Sequence, residues 1–544
     1  MNSKILNRAV FLGFGLSGMA ALIYEVVWTR SLSTIMGSST YALSTMLAAF
    51  MAGLAFGGWI GGLISQKTTD LPKAFALSEL GIGIAGFLTI PVIQYMTPLY
   101  MFSFYTFHLS FNTFSFVQFI ICFLIMGIPT SLMGLTFPIV IKFYTSGRPN
   151  EIGKLAGRLY SVNTFGAIIG SLAAGFLLIP LIGGKATALT AATINITTAI
   201  VILLLSRNYR QSAASVLIVM VFAFAAAFVN KPDVPFFSFY SAQRFGSYDF
   251  AKRIMDSIES SRDTSVLYEH EGTDGTVYLA RSMNPREEDY VLLNNGKYEG
   301  GNDTSFALLA YIPFLSHDAE DEPLKVLNIG LGSGHTLRHL SELPLAKIDS
   351  VELSEGVIEA NRRYLSPDLF NNPKINHFIA DGRNFMLLGP ETYDIIVASP
   401  SWAVETSSAG MLTDEFFSLA YNRLHWHGVF AIWLDDFVEH DEELATIART
   451  LSKEFEHVAI WTTDGGKILI GSKSPLLHYT EEIYAKASEL SPTLAGKFKL
   501  FMNEEDITAL PDGPINTDDR PIIEFSNARN ILLGSPAQRS IRHL

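Results

Sequence analysis

Lys325-Val326-Leu327-Asn328-Ile329-Gly330-Leu331-Gly332-Ser333-Gly334-His335-Thr336-Leu337-Arg338 is the stretch whose reading decides the fold. Val326 to Ile329 is a short apolar run of the kind buried on both faces of a parallel sheet. Gly330, Gly332 and Gly334 break it, and a helical pattern resumes through Leu337 and Leu340. A strand, a glycine turn and a helix start form a nucleotide-binding corner. Glycine lets backbone approach a ligand, and the first turn of the helix offers unpaired N–H groups.

A glycine triplet alone also fits an ordinary tight turn, so its neighbours matter. A second strand, Lys347 to Leu353, carries Glu352 at its end, about 20 residues past the glycines, where an acid grips a ribose diol. A third, Ile375 to Ile379, leads into Asp381-Gly382-Arg383. A fourth, Asp394 to Val397, leads into Ser399-Pro400-Ser401. Four strand ends with polar or glycine residues on one rim make a site. Val429 to Leu434 reads as a fifth strand. His457 to Thr462 and Lys467 to Gly471, joined by Asp464-Gly465-Gly466, read as an antiparallel hairpin closing the sheet. That ending favours a methyltransferase-like doubly wound sheet over a dinucleotide-binding one. Ahead of it, Val266 to Tyr268, Thr276 to Leu279 and Tyr290 to Leu293 alternate, with a turn signal at Asp274-Gly275. They predict a small antiparallel β subdomain.

The formal charge of −13 over 544 residues hides two unlike halves. Residues 1–230 hold 12 Lys+Arg against 4 Asp+Glu, and residues 231–544 hold 27 against 48. The first half is apolar enough for a membrane; the second is soluble and acidic, a surface suited to solubility or to attracting a polycation. The single Cys122 excludes an internal disulfide and a cysteine metal cluster. No metal spacing, nucleophilic triad or P-loop is present, and nothing points to nucleic acid. The histidines His335, His339, His425 and His427 form no persuasive ligand set, and the acid run from Asp435 to Glu443 reads as a solvated helix start.

Seven apolar runs are long enough to span a bilayer: roughly Ala9–Trp28, Tyr41–Ile64, Ala74–Tyr95, Phe114–Ile141, Leu159–Leu181, Ala186–Leu205 and Ala213–Val229. The first lacks a convincing cleavage site for a signal peptide. Gly53, Gly57 and Gly61, and again Gly166 and Gly170, are spaced for close helix packing. Glu25 is the intramembrane acid to note, against a bland reading as an interfacial residue beside Trp28 and Arg30. Glu79 reads as interfacial. Lys and Arg alternate by loop, which places the N-terminus in the cytoplasm and, with seven spans, the chain after Lys231 on the outer face. The domains expected are residues 1–230, about seven membrane helices; 231–263, an interfacial linker; 264–303, the small β subdomain; and 304–544, a nucleoside-binding α/β domain.

Several stretches together carry a resemblance. They are Ala21 to Arg30, Gly37 to Tyr41, Gly157 to Tyr160 with Asn163-Thr164, Asn295-Gly296-Lys297, Gly330 to Gly334, and Asn516 to Glu524, the last opening Asn-Thr-Asp-Asp-Arg-Pro. With them the chain resembles the spermidine synthase family of polyamine aminopropyltransferases, in its membrane-fused bacterial branch. The resemblance implies a multi-pass protein of the bacterial inner membrane. It implies binding of decarboxylated S-adenosylmethionine, S-adenosylmethionine or a related thionucleoside, and transfer of an aminopropyl group to a small amine or polyamine. A homo-oligomer fits the same picture. Gly330, Gly332 and Gly334 would approach the nucleoside, Glu352 its ribose, Asp381 and Gly382 its adenine, and Ser399 would stand at the donor.

The chain departs from that family at Ser399, where an acid should hold the acceptor and take its proton. A family glutamine is replaced by Glu299. A relocated acid is therefore sought in Glu299, Asp303, Asp518 or Asp519. Three other readings fit: a nucleoside- or polyamine-binding regulatory protein that has lost its chemistry, a methyltransferase on the same fold, and a transporter. For the last, Gly58 to Asp70 faintly resembles a loop of major-facilitator carriers.

Overall fold

The computed structural model describes residues 3–107, 110–146, 148–206, 266–272, 274–281, 290–299, 304–317, 323–400, 405–435, 441–463, 465–475, 483, 485–487 and 497–533. The chain divides into two units, one helical and one α/β. The seventh expected span, the interfacial linker, Asp303 and Asp464 lie outside the described residues.

The helical unit contains α1 (Ser3–Met36), α2 (Thr40–Lys67), α3 (Leu71–Phe107), α4 (Phe111–Thr145), α5 (Ile152–Ala173) and α6 (Ile179–Leu205). One π turn, Ala174–Leu178, joins α5 to α6, and Gly183 breaks the helical geometry with φ 77° and ψ 165°. Among the described residues, five continuous helical stretches are long and apolar enough to cross a membrane, and the last runs 54 residues, from Ile152 to Leu205. Six of the seven expected runs thus fall on described helix. Both glycine ladders are packing faces. A Cβ at Gly57 would overlap the backbone of Ser131 on α4, and one at Gly166 or Gly170 would overlap Gly15 or Met19 on α1. Such close backbone approach is what small residues permit.

The two acids of the apolar helices, Glu25 and Glu79, exchange the roles expected of them. Glu25 is partly exposed and accepts a long hydrogen bond from Thr29, at 3.5 Å. Glu79 is fully buried and accepts from the Asn195 amide of α6 at 2.7 Å. Its position early in α3 suggested an interface, but neighbouring helices enclose it, and only packing could reveal that.

The α/β unit opens with a four-stranded antiparallel sheet: β1 (Val266–Glu271), β2 (Thr276–Arg281), β3 (Tyr290–Asn294) and β4 (Lys297–Tyr298). It lies ahead of the large sheet in the chain rather than at the N-terminus of the protein. The large sheet comprises β5 (Leu324–Ile329), β6 (Leu345–Glu352), β7 (Ile375–Ile379), β8 (Tyr393–Ala398), β9 (Leu424–Asp435), β10 (His457–Thr463), β11 (Gly466–Ser472) and β12 (Phe498–Met502), in the order β12-β10-β11-β9-β8-β5-β6-β7. The strands from β9 to β7 pair in parallel, and β11, β10 and β12 extend the sheet antiparallel.

Parallel strands must be apolar on both sides because both faces are covered. Val326, Ile395 and Ala431 join a core with α7 (Thr304–Ser316) and the small sheet. Leu327, Ile396 and Ile432 join a second core with α12 (Asp414–Arg423) and α13 (Asp441–Glu454). Between these lie α8 (His335–Glu342), α9 (Glu355–Ala360), α10 (Gly382–Leu388) and α11 (Thr406–Ala409). The chain order reverses between β8 and β5, so the carboxyl ends of those strands open a crevice there.

Candidate active site

The glycine turn is built by backbone conformation that only glycine adopts cheaply. Gly330, Gly332 and Gly334 have φ of 90°, 51° and 85°. A Cβ on Gly330 would sit 2.9 Å from the Ser399 carbonyl oxygen and its Oγ, whereas one on Gly332 meets nothing within 4 Å. The first glycine therefore lets β5 and the segment after β8 touch; the second faces open cleft. Asn361 supports the turn from below, donating to the Gly332 carbonyl at 2.8 Å.

Glu352 ends β6 with both carboxylate oxygens in use. Oε2 accepts from the Leu331 N–H at 2.8 Å and Oε1 from the Ser354 N–H at 2.9 Å. Burial pushes its carboxyl above the ordinary glutamate value, those backbone donors pull it back, and nearby Glu299 pushes it up again. The net direction is upward. Asp381 likewise has a local duty: its Oδ1 accepts from Asn384 N–H at 2.8 Å, capping α10. Gly382 is buried against Ile329, where a Cβ would clash. Among the described residues, the Ser399 hydroxyl makes only long contacts, 3.4 Å to the carbonyls of Ile329 and Gly330.

One cleft is lined by Gly330, Gly332, Glu352, Asp381, Gly382 and Ser399 together with Asp274, Asn294, Lys297, Glu299, Phe306, Glu405, Trp433 and Asp435. Of the sought acids, Glu299 reaches it. Asp518 and Asp519 are not among the described residues that line it. Asp518 forms a two-pronged ion pair with Arg383, at 2.9 Å from Nη1 to Oδ1. Burial pushes the Asp518 carboxyl up, but Arg383 and Thr413 outweigh it and hold it below the usual aspartate value. Asp519 is exposed. The compact tail around them is structural. Buried Asn516 donates its amide to the Leu412 carbonyl at 2.8 Å, accepts from Ile523 N–H at 3.2 Å, and receives the Asp414 N–H on its own carbonyl at 2.9 Å.

The cleft residues that sequence reading missed are Glu405, Asp435, Asp274, Trp433 and Lys297. Glu405 follows β8 at no motif position, and Asp435 was read as solvated although it is only 9% exposed. Lys297 is 4% exposed, with Nζ 2.9 Å from Glu405 Oε2 and 3.2 Å from Glu299 Oε1. Burial pulls its ammonium down, but the two carboxylates outweigh that and hold it above the ordinary lysine value. The turn before it fixes its direction: Asn295 and Gly296 have φ of 52° and 72°, and Asn294 pairs with Lys297 across a two-residue hairpin.

A doubly wound sheet with this glycine turn, an acid ending β6 and an acid-capped helix after β7 is an α/β fold of the methyltransferase type. Residues 306–464 match the family model described as the spermine/spermidine synthase domain. Over this segment the chain is similar to the spermidine synthase family. Polyamine aminopropyltransferase 2 of Aquifex aeolicus is 22% identical over 94% of this chain and 96% of its own length. The protein of the same name from Pseudomonas aeruginosa is 31% identical over 36% of this chain and 56% of its own. A crystal structure of spermidine synthase in complex with the transition state analogue AdoDATO is 23% identical, covers 45% of this chain and 86% of that one, and superposes with a TM-score of 0.37.

Proposed function

We propose that the protein is a membrane-anchored aminopropyltransferase that binds decarboxylated S-adenosylmethionine and passes its aminopropyl group to an amine. The observation that carries this reading is the charge of the cleft: among the described residues, six carboxylates line it, against one lysine. Such a lining favours a donor whose charges are a sulfonium and an ammonium, and an acceptor that arrives as an ammonium. S-adenosylmethionine adds a carboxylate of its own and fits that lining less well.

In this reading the glycine turn lies along the nucleoside, Glu352 exchanges a backbone N–H for the ribose diol, and Asp381 and Gly382 flank the base. The acceptor nitrogen attacks the aminopropyl carbon bound to sulfur. An N–C bond forms, the C–S bond breaks, and 5′-methylthioadenosine leaves with the electron pair. The proton shed by the nitrogen goes to a carboxylate. Glu299 and Glu405, both on the cleft, supply that acceptor in place of Ser399. The helices α1–α6 hold the enzyme in a bilayer, their apolar length being its support.

The test uses the full-length chain in detergent. Decarboxylated S-adenosylmethionine and 5′-methylthioadenosine should both raise Tm, the former more than S-adenosylmethionine, and an amine should then release 5′-methylthioadenosine. Stabilisation by nucleosides without release, over a broad amine panel, would instead favour a binding protein that has lost its chemistry.

A further inference from the structure

One end of the helical unit gathers the start of α1, the ends of α2 and α4 and the start of α5. Tyr144 of α4 donates to the Asn7 carbonyl of α1, and Lys142 donates to the Ser65 carbonyl of α2. A groove opens there between α1 and α5, with Phe11, Lys154, Gly157, Arg158, Val162 and Phe165 in its lining. Its mouth is basic. Lys154 and Arg158 stand one turn apart on an exposed face of α5, and the Arg158 guanidinium lies 5.7 Å from the centre of the Phe11 ring. Two carboxylates of the described residues lie at this end, and both are engaged elsewhere. Asp70 accepts from the Lys73 N–H at 3.2 Å, and Glu151 stands 4.0 Å from Arg148. Neither Lys154 nor Arg158 forms an ion pair among the described residues. A Cβ on Gly153 or Gly157 would meet nothing within 4 Å, so the space beside both cations is open. Further along, the same face turns apolar: Phe165, Ile169, Leu172 and Phe176 are all exposed, at the spacing of a single helical stripe.

We propose that this groove binds the headgroup of an anionic phospholipid at Lys154 and Arg158, with an acyl chain lying along the apolar stripe beyond them. The inference rests on the membrane-anchored reading of the helices and goes beyond it by naming a lipid class and its site. A phosphodiester is a compact anion, and the two side chains offer it charge-assisted N–H donors. The stripe from Phe165 to Phe176 rises roughly 17 Å, near the depth of one leaflet of a ~30 Å hydrocarbon core. A free phosphate ion would use the cations and leave the stripe bare. A zwitterionic lipid would use the stripe but bring a cation of its own toward Lys154 and Arg158. An anionic lipid satisfies both parts at once. The positive-inside pattern puts this end of the helices at the cytoplasmic leaflet, whose surface is the anionic one.

The test is native mass spectrometry of the full-length chain in a neutral detergent, titrated with phosphatidylglycerol and with phosphatidylcholine of the same acyl chains. Wild-type protein should bind the first roughly tenfold more tightly than the second. Lys154→Gln/Arg158→Gln changes two exposed side chains and should erase most of that preference. Lys67→Gln/Lys73→Gln removes as much charge from the same end of the helical unit and should leave the preference within about twofold of wild type. Glycerol phosphate, which has the anion without the chains, should not displace phosphatidylglycerol at matched concentration. Equal affinity for the two lipids, an equal loss in both double variants, or displacement by glycerol phosphate overturns the proposal alone. Release of the chain from lipid vesicles by alkaline carbonate overturns the membrane-anchored reading, and the lipid site with it.

Discussion

Glu352 shows how far a single residue can be read from its place in the chain. Its position at the end of the second parallel strand pointed to a diol contact, and that position is legible because strand spacing fixes it. Its present partners were not legible. The carboxylate spans the Leu331 and Ser354 N–H groups, so it also braces the glycine turn. Glu352→Ala should therefore do two things: abolish stabilisation by 5′-methylthioadenosine, and lower the stability of the ligand-free protein by about 1–3 kcal/mol, since two N–H groups lose their acceptor. Thermal unfolding with and without the nucleoside separates the two effects. The raised carboxyl adds a pH signature. A glutamate whose folded value lies above its unfolded one binds more protons folded, so stability falls as pH rises from about 4.3 through the folded value, then levels. Glu352→Gln should remove that fall from the stability–pH curve, and an unchanged curve would contradict the assigned environment. Asp518 is the opposite case. Its motif looked chemical, yet the carboxylate is 40% exposed and tied to Arg383. Asp518→Asn should leave 5′-methylthioadenosine release intact and cost at most about 1 kcal/mol in a urea titration. That contribution, from a lowered carboxyl, is present above the unfolded value and lost as pH falls through the folded one. A large loss of turnover would return Asp518 to the chemistry.

At the scale of elements, period and punctuation carried most of the fold. The parallel strands were readable because burial on both faces leaves continuous apolar runs such as Val326 to Ile329. Edge elements were not: β12 alternates weakly, with Lys499 and Phe501 exposed, and β4 is only two residues long. The join of α5 to α6 was hidden for another reason. Gly183 and Gly184 read as an inter-helix loop, yet the chain is helical on both sides of one broken residue, a kink of the kind glycine permits. The glycine turn offers the clearest element-level test. Gly330 and Gly332 are equivalent in sequence and unlike in space. Gly330→Ala puts a methyl against the Ser399 carbonyl and should destabilise the fold, by more than the ~1–2 kcal/mol of left-handed strain. Gly332→Ala has open space around its Cβ and should cost about that strain alone, while its methyl intrudes where the nucleoside would lie. The expected pattern is a lower Tm for the first, and a near-normal Tm with lost nucleoside response for the second. Equal losses of stability in both would mean that the turn is not the cleft wall described.

For the whole molecule, sidedness reduces to counting crossings. The stretch from Ile152 to Leu205 has 54 residues, which as one straight helix would run roughly 80 Å, far beyond a ~30 Å hydrocarbon core. The break at Gly183 divides it into two lengths that each suit a single crossing, and Lys185 stands beside that break. Described helix would then account for six crossings. Lys4 and Arg8 precede the apolar body of α1, Lys67 and Lys73 flank the α2–α3 turn, and Lys142, Arg148, Lys154 and Arg158 cluster between α4 and α5. All of these sit on one side if every helix crosses, and the positive-inside rule makes that side the cytoplasm. On that count the chain after Leu205 would emerge in the cytoplasm, and Arg207 and Arg210 continue the basic series of the sequence. Residues 213–229 are apolar enough to cross once more, and that crossing would carry the acidic α/β unit to the outer face. Two reporter fusions decide it, one after Ser206 and one after Leu544. We expect cytoplasmic activity from the first and activity only outside the cytoplasm from the second. Cytoplasmic signals from both would mean that residues 213–229 do not cross and that the cleft faces the cell interior. An external signal after Ser206 would overturn the division of the long stretch at Gly183, and with it the count of six.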